Sequence, residues 1–141
     1  MNIYFCGAIT GGRIDQPIYA ELIQHLKSHG PVLTEHVGDP TITEFDQEGP
    51  PAEIYSRDEV WLRQADVVIA EVTVPSHGVG IELAHAEALG KPVLCLFRQQ
   101  PSRPVSPFVS GNPYFTLKTY HDVDEAKRLI DEYLEERKNA G

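Results

Sequence analysis

The sequence predicts an α/β protein built on an open, doubly wound parallel sheet of five strands with helices on both faces. Short apolar segments alternate with amphipathic segments along the whole chain, as in β-α-β proteins. Residues 66–71 and 92–97 are nearly continuous runs of apolar and β-branched residues, as parallel strands covered on both faces require. The 141 residues show no internal repeat and no shift in composition, which predicts a single domain over residues 1–141. The predicted class is therefore Rossmann-like or flavodoxin-like.

The five predicted strands are short and are separated by polar or amphipathic sequence. They are residues 2–6, 31–35, 66–71, 92–97 and 114–120. We expect a helix after the first strand, because Asp15 can cap its start, Pro17 suits its first turn and Gly30 can end it.

Three further helices complete the alternation. Residues 56–62 predict a helix before the third strand, and the next helix is expected to begin near Val79. The last helix opens with Asp122 and Glu125, a pair that resembles a capping box.

Two stretches interrupt this pattern. Residues 38–53 are acidic and rich in proline and glycine, and residues 99–113 contain four prolines. Such stretches are either lids over a site or disordered insertions, and both alternatives remain open from the sequence.

Composition excludes several classes of protein. A formal net charge of −9 argues against coating DNA or RNA and against binding an anionic membrane. One phosphate group can still be held by backbone N–H groups at a helix start. There is no signal-peptide pattern and no apolar run long enough to span a bilayer. Cys6 and Cys95 lie in predicted strands and are expected to be reduced core thiols. We therefore expect a cytoplasmic protein, which in a eukaryote could also enter the nucleus.

Ligands in open α/β sheets bind at the carboxyl ends of the strands, which directs attention to the loops there. The loop after the first strand carries Gly7 and the pair Gly11-Gly12. It matches neither the Gly-x-Gly-x-x-Gly fingerprint nor a P-loop, so it gives no support for NAD or ATP as a cofactor. Its glycines either let the backbone approach a ligand or merely turn the chain.

The loop after the third predicted strand, residues 75–82, leads into a helix whose first turn is expected to carry Glu82. The helix dipole and nearby N–H groups should keep that carboxylate ionised. Two interpretations remain open from composition alone. Glu82 is a helix-stabilising acid, or it is a nucleophile that attacks an anomeric carbon.

Asp58 and Tyr4 are the other candidate catalytic residues. Asp58 lies in a predicted helix, where solvated acids are common, and Tyr4 lies in the first strand, where a packed tyrosine is common. The six histidines suggest no metal site; His77 and His85 flank Glu82, but two histidines so placed are weak grounds for one. We expect neither a metal nor a cofactor.

An ordered set of motifs changes these expectations. The motifs are Tyr4-Phe5-Cys6-Gly7-x-Ile9-x-Gly11-Gly12, Leu33-Thr34-Glu35-His36-Val37, Trp61-Leu62-x-Gln64-Ala65-Asp66-Val67-Val68, Ala70-Glu71-Val72-Thr73-x-Pro75-Ser76, Gly78-Val79-Gly80-x-Glu82-Leu83 and Gly90-Lys91-Pro92-x-Leu94-Cys95-Leu96-Phe97-Arg98. Together they resemble the 2′-deoxynucleoside 5′-monophosphate N-hydrolases, a branch of the nucleoside 2-deoxyribosyltransferase superfamily. The resemblance runs from Tyr4 to about Ser106.

The resemblance implies a catalytic role for three residues. Glu82 matches the glutamate that attacks C1′ of the deoxyribose and forms a glycosyl-enzyme intermediate. Asp58 matches the active-site aspartate, and Tyr4 matches the tyrosine that hydrogen-bonds near the glutamate.

The resemblance also implies a set of substrate-binding residues and a homodimer. Ser76 and Gly78 match contacts to the phosphate at the helix start, and Ser106 matches a serine that reaches the phosphate from the neighbouring subunit. The substrate-binding residues expected on this basis are Gly7, Ile9, Thr10, Gly11, Ser76, Gly78, Gly80 and Ser106. The expected ligand is a small deoxynucleotide or deoxynucleoside.

One departure from the family pattern keeps alternatives open. Ala8 and Thr10 stand where the family usually carries serine and arginine, which weakens the expectation of a monophosphate substrate. Ser76 favours a phosphate, because relatives that act on free nucleosides often carry an aspartate there. The expected reaction is hydrolysis of a deoxynucleoside monophosphate to free base and 2-deoxyribose 5-phosphate. The alternatives are deoxyribosyl transfer between bases and a non-catalytic nucleotide-sensing module on the same fold.

Overall fold

The sheet of the computed structural model, which describes residues 1–45, 48–101 and 103–140, consists of four parallel strands. They are β1 (Ile3–Cys6), β2 (Val67–Glu71), β3 (Val93–Arg98) and β4 (Thr116–Tyr120), hydrogen-bonded in the order β1-β2-β3-β4. Every residue of β1 and β2 is buried, in agreement with the apolar runs that predict strands covered on both faces. The α/β class with a parallel sheet is confirmed.

The prediction of a fifth strand at residues 31–35 is wrong, because this segment makes only one bridge to the sheet. Val32 pairs parallel with Ile3, and the backbone bonds end with the Leu33 N–H donating to the Ile3 carbonyl at 2.9 Å. Beyond this point the Thr34 hydroxyl, and not the backbone, makes the hydrogen bonds to β1. It accepts from the Phe5 N–H at 2.8 Å and donates to the Phe5 carbonyl at 2.7 Å. The chain turns into a 3₁₀ turn at Glu35–Gly38, which ends the pairing.

Five α-helices in the described part of the chain flank the sheet. They are α1 (Gln16–Leu26), α2 (Pro51–Gln64), α3 (His77–Ala88), α4 (Pro107–Ser110) and α5 (Val123–Ala140). Asp15 precedes α1 as expected, but its carboxylate accepts from Arg98 Nη1 at 2.9 Å and does not cap the helix. Asp122 caps α5, since its Oδ1 accepts from the Glu125 N–H at 2.8 Å.

Alternate residues of each strand point into two separate apolar layers. Ile3 and Phe5 of β1 pack in the layer covered by α1 and α5. Tyr4 and Cys6 face the other layer, which contains residues of α2 and α3. Cys6 and Cys95 are both buried free thiols, as the sequence predicts. The alternation along β1 therefore directs Tyr4 towards α3, the helix that carries Glu82.

None of the helices in the described part of the chain is both long enough and apolar enough to cross a bilayer.

Candidate active site

A cavity of about 350 Å³ opens at the carboxyl end of β1, between the loop that follows β1 and helices α2 and α3. Eight of the site residues expected from the sequence line it: Tyr4, Gly7, Ile9, Thr10, Asp58, Ser76, Gly78 and Glu82. The fold therefore brings together residues that are up to 78 positions apart in the chain. This location agrees with the rule that ligands of open α/β sheets bind at the carboxyl ends of the strands.

Glu82 and Tyr4 form the central polar contact of the cavity. The Tyr4 hydroxyl donates a hydrogen bond to Oε2 of Glu82. Burial raises the pKa of Tyr4, and the negative charge of Glu82 raises it further. The phenol therefore stays protonated and serves as a donor to the carboxylate.

The pKa of Glu82 departs from the expectation based on the helix start. Helix α3 begins at His77, two residues before the expected Val79, so Glu82 lies in the second turn. There it is beyond the free N–H groups of the first turn. Burial raises the pKa of Glu82 to about 7, and the charge of Asp58 acts in the same direction, although the Tyr4 hydrogen bond opposes both. Burial therefore acts against the ionisation that was expected from the helix start.

Asp58 lies on α2 beside Arg57, and both side chains line the cavity. Arg57 Nε donates to Oδ1 of Asp58 at 3.0 Å, and Arg57 Nη1 donates to Glu48 at 2.5 Å. The guanidinium also lies 4.7 Å from the centre of the Trp61 ring, within the range of a cation–π contact. Arg57 thereby holds one carboxylate on each side of itself and fixes Asp58 at the cavity wall.

His36 completes this wall. Its Nε2 lies 3.3 Å from Arg57 Nη2, and its ring lies 5.8 Å from the ring of Trp61. Burial lowers the pKa of His36, and the neighbouring Glu48 carboxylate opposes that effect. The His36 ring is therefore neutral when the pH lies above the ordinary pKa of a histidine, and it can then accept a hydrogen bond from Arg57.

The sequence alone gives Glu48, Arg57 and His36 no role in the site. His36 lies in one of the quoted motifs, which was the available signal for it. Glu48 lies in the irregular acidic stretch, and nothing in that stretch indicates that it meets a residue nine positions later on α2. Their grouping around Arg57 depends on how the stretch folds against the helix.

Ser76 and Gly11 connect the two loops expected to bind a phosphate. Ser76 caps α3, because its Oγ accepts from the Val79 N–H at 3.3 Å, and a hydroxyl that accepts can still donate its own hydrogen. A Cβ atom on Gly11 would lie 2.7 Å from the Pro75 carbonyl oxygen. Glycine is therefore required at position 11 for the close approach of the two loops, although Gly11 itself does not line the cavity.

Arg13 fixes the loop that follows β1. Its guanidinium donates to the backbone carbonyls of Ala8 at 3.0 Å, Val37 at 2.8 Å, Asp39 at 3.0 Å and Ile42 at 3.0 Å. One side chain therefore ties the first loop to the start of the acidic stretch. This role has no signal in the sequence, since the acceptors are backbone groups.

The departure at position 8 has less effect on the site than the sequence implies. The Ala8 side chain is fully buried and does not line the cavity, whereas Thr10 does. A hydroxyl at position 8 would therefore be enclosed by protein, and of the two departures only Thr10 stands where a ligand can reach it.

Besides Gly11, two of the expected binding residues do not line the cavity of their own chain. Gly80 lies within α3 and does not line the cavity. Ser106 lies at the start of α4, where its Oγ accepts from the Phe108 N–H at 3.2 Å. A role for Ser106 requires a second subunit.

Residues 3–130 match the family described as nucleoside 2-deoxyribosyltransferase. The chain belongs to this family. The match covers both loops of the cavity and the catalytic candidates on β1, α2 and α3, and it ends within α5.

Individual members of the family are similar over nearly the whole chain. The Mus musculus protein named 5-hydroxymethyl-dUMP N-hydrolase is 45% identical over 139 residues, covering 95% of this chain and 80% of that protein. The Danio rerio protein of the same name is 44% identical over 140 residues, covering 96% of each.

Solved structures agree with the fold. The structure of Clostridium botulinum CMP N-glycosidase, BcmB, superposes with a TM-score of 0.65 at 17% identity, covering 93% of this chain and 99% of that chain. The solution structure of BlsM superposes with a TM-score of 0.71 at 22% identity, covering 92% of this chain and 86% of that one. At these identities the similarity concerns the α/β fold alone.

Proposed function

We propose that this family member hydrolyses the N-glycosidic bond of 2′-deoxynucleoside 5′-monophosphates. The observation that carries the proposal is the Tyr4–Glu82 pair inside a cavity that Asp58 also lines. The names of the Mus musculus and Danio rerio relatives support it, because 5-hydroxymethyl-dUMP belongs to this class of substrate. We therefore take 5-hydroxymethyl-dUMP as the first substrate to test.

The first chemical step is a displacement at C1′ of the deoxyribose. A carboxylate oxygen of Glu82 forms a bond to C1′ while the bond from C1′ to the base nitrogen breaks, and the base leaves with the bonding electrons. Without a 2′-hydroxyl the sugar readily develops oxocarbenium character, so one carboxylate nucleophile suffices. The Tyr4 hydroxyl orients the attacking carboxylate, because it donates to Oε2.

The second step returns Glu82 to its starting form. A water oxygen bonds to C1′, the bond from C1′ to the Glu82 oxygen breaks, and the proton that the water loses balances the one taken up by the departed base. The net reaction consumes one water and yields the free base and 2-deoxyribose 5-phosphate. This two-step path has the form of retaining glycoside hydrolysis.

Asp58 and the start of α3 serve the two ends of the substrate in this proposal. Asp58 orients or protonates the leaving base, and Arg57 holds its carboxylate in place through the 3.0 Å contact. The phosphate is bound at the start of α3 by the Ser76 hydroxyl and the N–H groups near Gly78, where the helix dipole favours an anion.

We also propose that the active unit is a homodimer in which Ser106 contacts the phosphate held by the neighbouring subunit. Ser106 is exposed and is followed on α4 by Phe108, whose side chain is 90% exposed in the single chain. Phe108 would give a second subunit an apolar contact beside Ser106.

Product analysis tests the reaction and separates it from its alternatives. Purified protein is incubated with 5-hydroxymethyl-dUMP, dGMP, deoxyguanosine or GMP, each with and without a free acceptor base. We expect free base and 2-deoxyribose 5-phosphate from the deoxynucleotides, at rates that the acceptor base does not change.

Three other outcomes would contradict the proposal. Formation of a new nucleoside or nucleotide in the presence of the acceptor base would identify a deoxyribosyltransferase. Faster turnover of deoxyguanosine than of dGMP would exclude the phosphate as a recognition element. Saturable binding of all four compounds without any turnover would identify a nucleotide-sensing module.

A further inference from the structure

Two histidines and an aspartate converge where α1 and α5 pack together. His25 lies on α1, His29 lies in the turn that follows it, and Asp131 lies on α5. The Nε2 atoms of both histidines lie 2.7 Å from the same oxygen, Oδ1 of Asp131. The three groups offer ligand atoms that all lie within 4.8 Å of one another.

We propose that these three side chains form a binding site for one divalent transition-metal ion, with Zn²⁺ as the preferred occupant. His25 Nε2, His29 Nε2 and a carboxylate oxygen of Asp131 supply three ligands, and solvent supplies the fourth. Two imidazole nitrogens and one carboxylate match the tetrahedral coordination of zinc with one open position. Imidazole also suits the neighbouring metals Co²⁺, Ni²⁺ and Cu²⁺, whereas Mg²⁺ and Ca²⁺ prefer sets of oxygen ligands.

The packing of the two helices holds the ligands in place. Leu22 and Leu26 of α1 lie in the same apolar layer as Ile130 and Leu134 of α5, and all four are buried. Asp131 directly follows Ile130, so the core contact sets the position of its carboxylate. The side-chain exposures of His25, His29 and Asp131 are 24%, 9% and 45%, which leaves an entry path on the Asp131 side.

Lys138 competes with a metal at this site. Its Nζ lies 3.2 Å from Nδ1 of His29, so Nδ1 accepts and the ring hydrogen lies on Nε2. A metal bound to Nε2 of His29 requires the ring hydrogen to be on Nδ1. The Lys138 ammonium group cannot accept a hydrogen bond from that N–H, so it must move away when the metal binds. Lys138 is 40% exposed and also lies 3.6 Å from Glu135, so its side chain can turn away from the histidine.

The proposed metal site is separate from the cavity that contains Glu82. None of the three ligands lines that cavity. Helix α1 carries the chain from the carboxyl end of β1 back to the segment that pairs in parallel with Ile3, so its last turn lies at the amino edge of the sheet. A metal there would link α1 to α5 and stabilise the fold without entering the reaction.

Metal titration of the untagged protein tests the proposal. Calorimetry with ZnCl₂ should give one saturable site per chain, and Co²⁺ should give the visible absorption of a tetrahedral ion. Zinc at about a hundredfold excess over its Kd should raise the Tm by about 5–10 °C, since it binds only the folded state. EDTA should reverse the shift.

Two ligand variants and one control make the test specific. His25→Gln and Asp131→Asn should each raise the zinc Kd by at least about tenfold, because a lost ligand costs no less than a lost outer-shell partner. Lys138→Met should lower the Kd, since it removes the competing donor. His121→Gln should leave the Kd unchanged, although His121 also lies near a carboxylate, 3.0 Å from Glu125.

Either of two results would overturn the proposal. One is the absence of a saturable zinc site in the parent protein, and the other is a zinc Kd in Asp131→Asn equal to that of the parent. Asp131 is partly exposed and suits this decisive comparison, because its amide replacement keeps the side-chain shape even if His25→Gln folds poorly.

Discussion

At the scale of single residues, Glu82 has a buried carboxyl group whose surroundings oppose its ionisation. The proposed reaction requires this carboxylate to be anionic, yet burial raises its pKa to about 7. The Tyr4 hydroxyl is the contact that opposes this effect, because a hydrogen bond to the ionised form lowers the pKa. Active sites often carry such perturbed groups, at a cost in folding free energy.

Tyr4→Phe should therefore move the pH dependence of the reaction. In the parent, kcat/KM should rise with pH and level off above an apparent pKa of about 7, as Glu82 ionises. The variant lacks the hydrogen bond that lowers this pKa, so its acid limb should shift to higher pH and its maximum should fall. Tyr120→Phe is the control, since Tyr120 donates to Glu71 outside the cavity. An acid limb at the same pH in parent and Tyr4→Phe would contradict the assignment.

Glu82→Gln should abolish turnover and, above neutral pH, stabilise the fold. The carboxyl ionises near pH 4.5 in the unfolded chain and near pH 7 in the folded protein. The folded state binds more protons in this window, so stability contributed by Glu82 falls as the pH rises through it. The variant should gain about 3 kcal/mol over the parent at pH 8 and less than about 0.5 kcal/mol at pH 4.5, measured by urea unfolding. Glu132→Gln, on the exposed face of α5, should show no such dependence.

At the scale of secondary structure, the sequence correctly predicts the strands that are apolar on both faces. It does not show where the segment after α1 stops pairing with β1 and begins the 3₁₀ turn. Residues 66–71 and 92–97 are correctly predicted, because burial on both faces imposes a composition that is visible in the sequence. Residues 31–35 look like a strand, but pairing ends after Val32. Nothing local reveals that the Thr34 side chain replaces the backbone there. The Glu48–Arg57 contact was missed for a similar reason, since it depends on how an irregular stretch folds.

Thr34→Val should be strongly destabilising. The substitution keeps the side-chain shape but removes the hydroxyl that bonds to both the N–H and the carbonyl of Phe5. Two buried backbone groups then lack a partner, which should cost about 2–4 kcal/mol in denaturant unfolding. Thr34→Ser keeps the hydroxyl and should lose less than about 1 kcal/mol. Equal losses in the two variants would contradict the dominant role of the hydroxyl, because only Thr34→Val removes it.

At the scale of the whole molecule, the proposed shared site makes activity a property of the assembly. Tyr4, Asp58 and Glu82 line the cavity of one chain, whereas Ser106 lies away from it. The sequence motifs could indicate which residue types matter, but a contact between chains leaves no periodicity or spacing in one sequence. Its test must therefore mix two defective chains.

Glu82→Gln and Ser106→Ala subunits should complement each other. In a mixed dimer that shares sites, one site carries both substitutions and the other carries neither, so mixing two impaired proteins should restore turnover. If Ser106 acts within its own chain, every site retains one defect and mixing restores nothing. Sedimentation should also show a dimer, or a multiple of dimers, at the assay concentration. A fully active monomer would contradict the shared site.

The hydrogen bonds of Arg13 have a consequence for which cavity residues can be substituted. Its guanidinium donates hydrogen bonds to the backbone carbonyls of four residues, and a backbone carbonyl is present whatever the side chain at that position. The frame of the cavity wall is thus independent of the side chains attached to it. Ile9, Thr10, Val37 and Ile42 all line the cavity on this frame. Substitution of those four side chains should therefore change the shape and polarity of the cavity while the backbone that Arg13 holds stays in place.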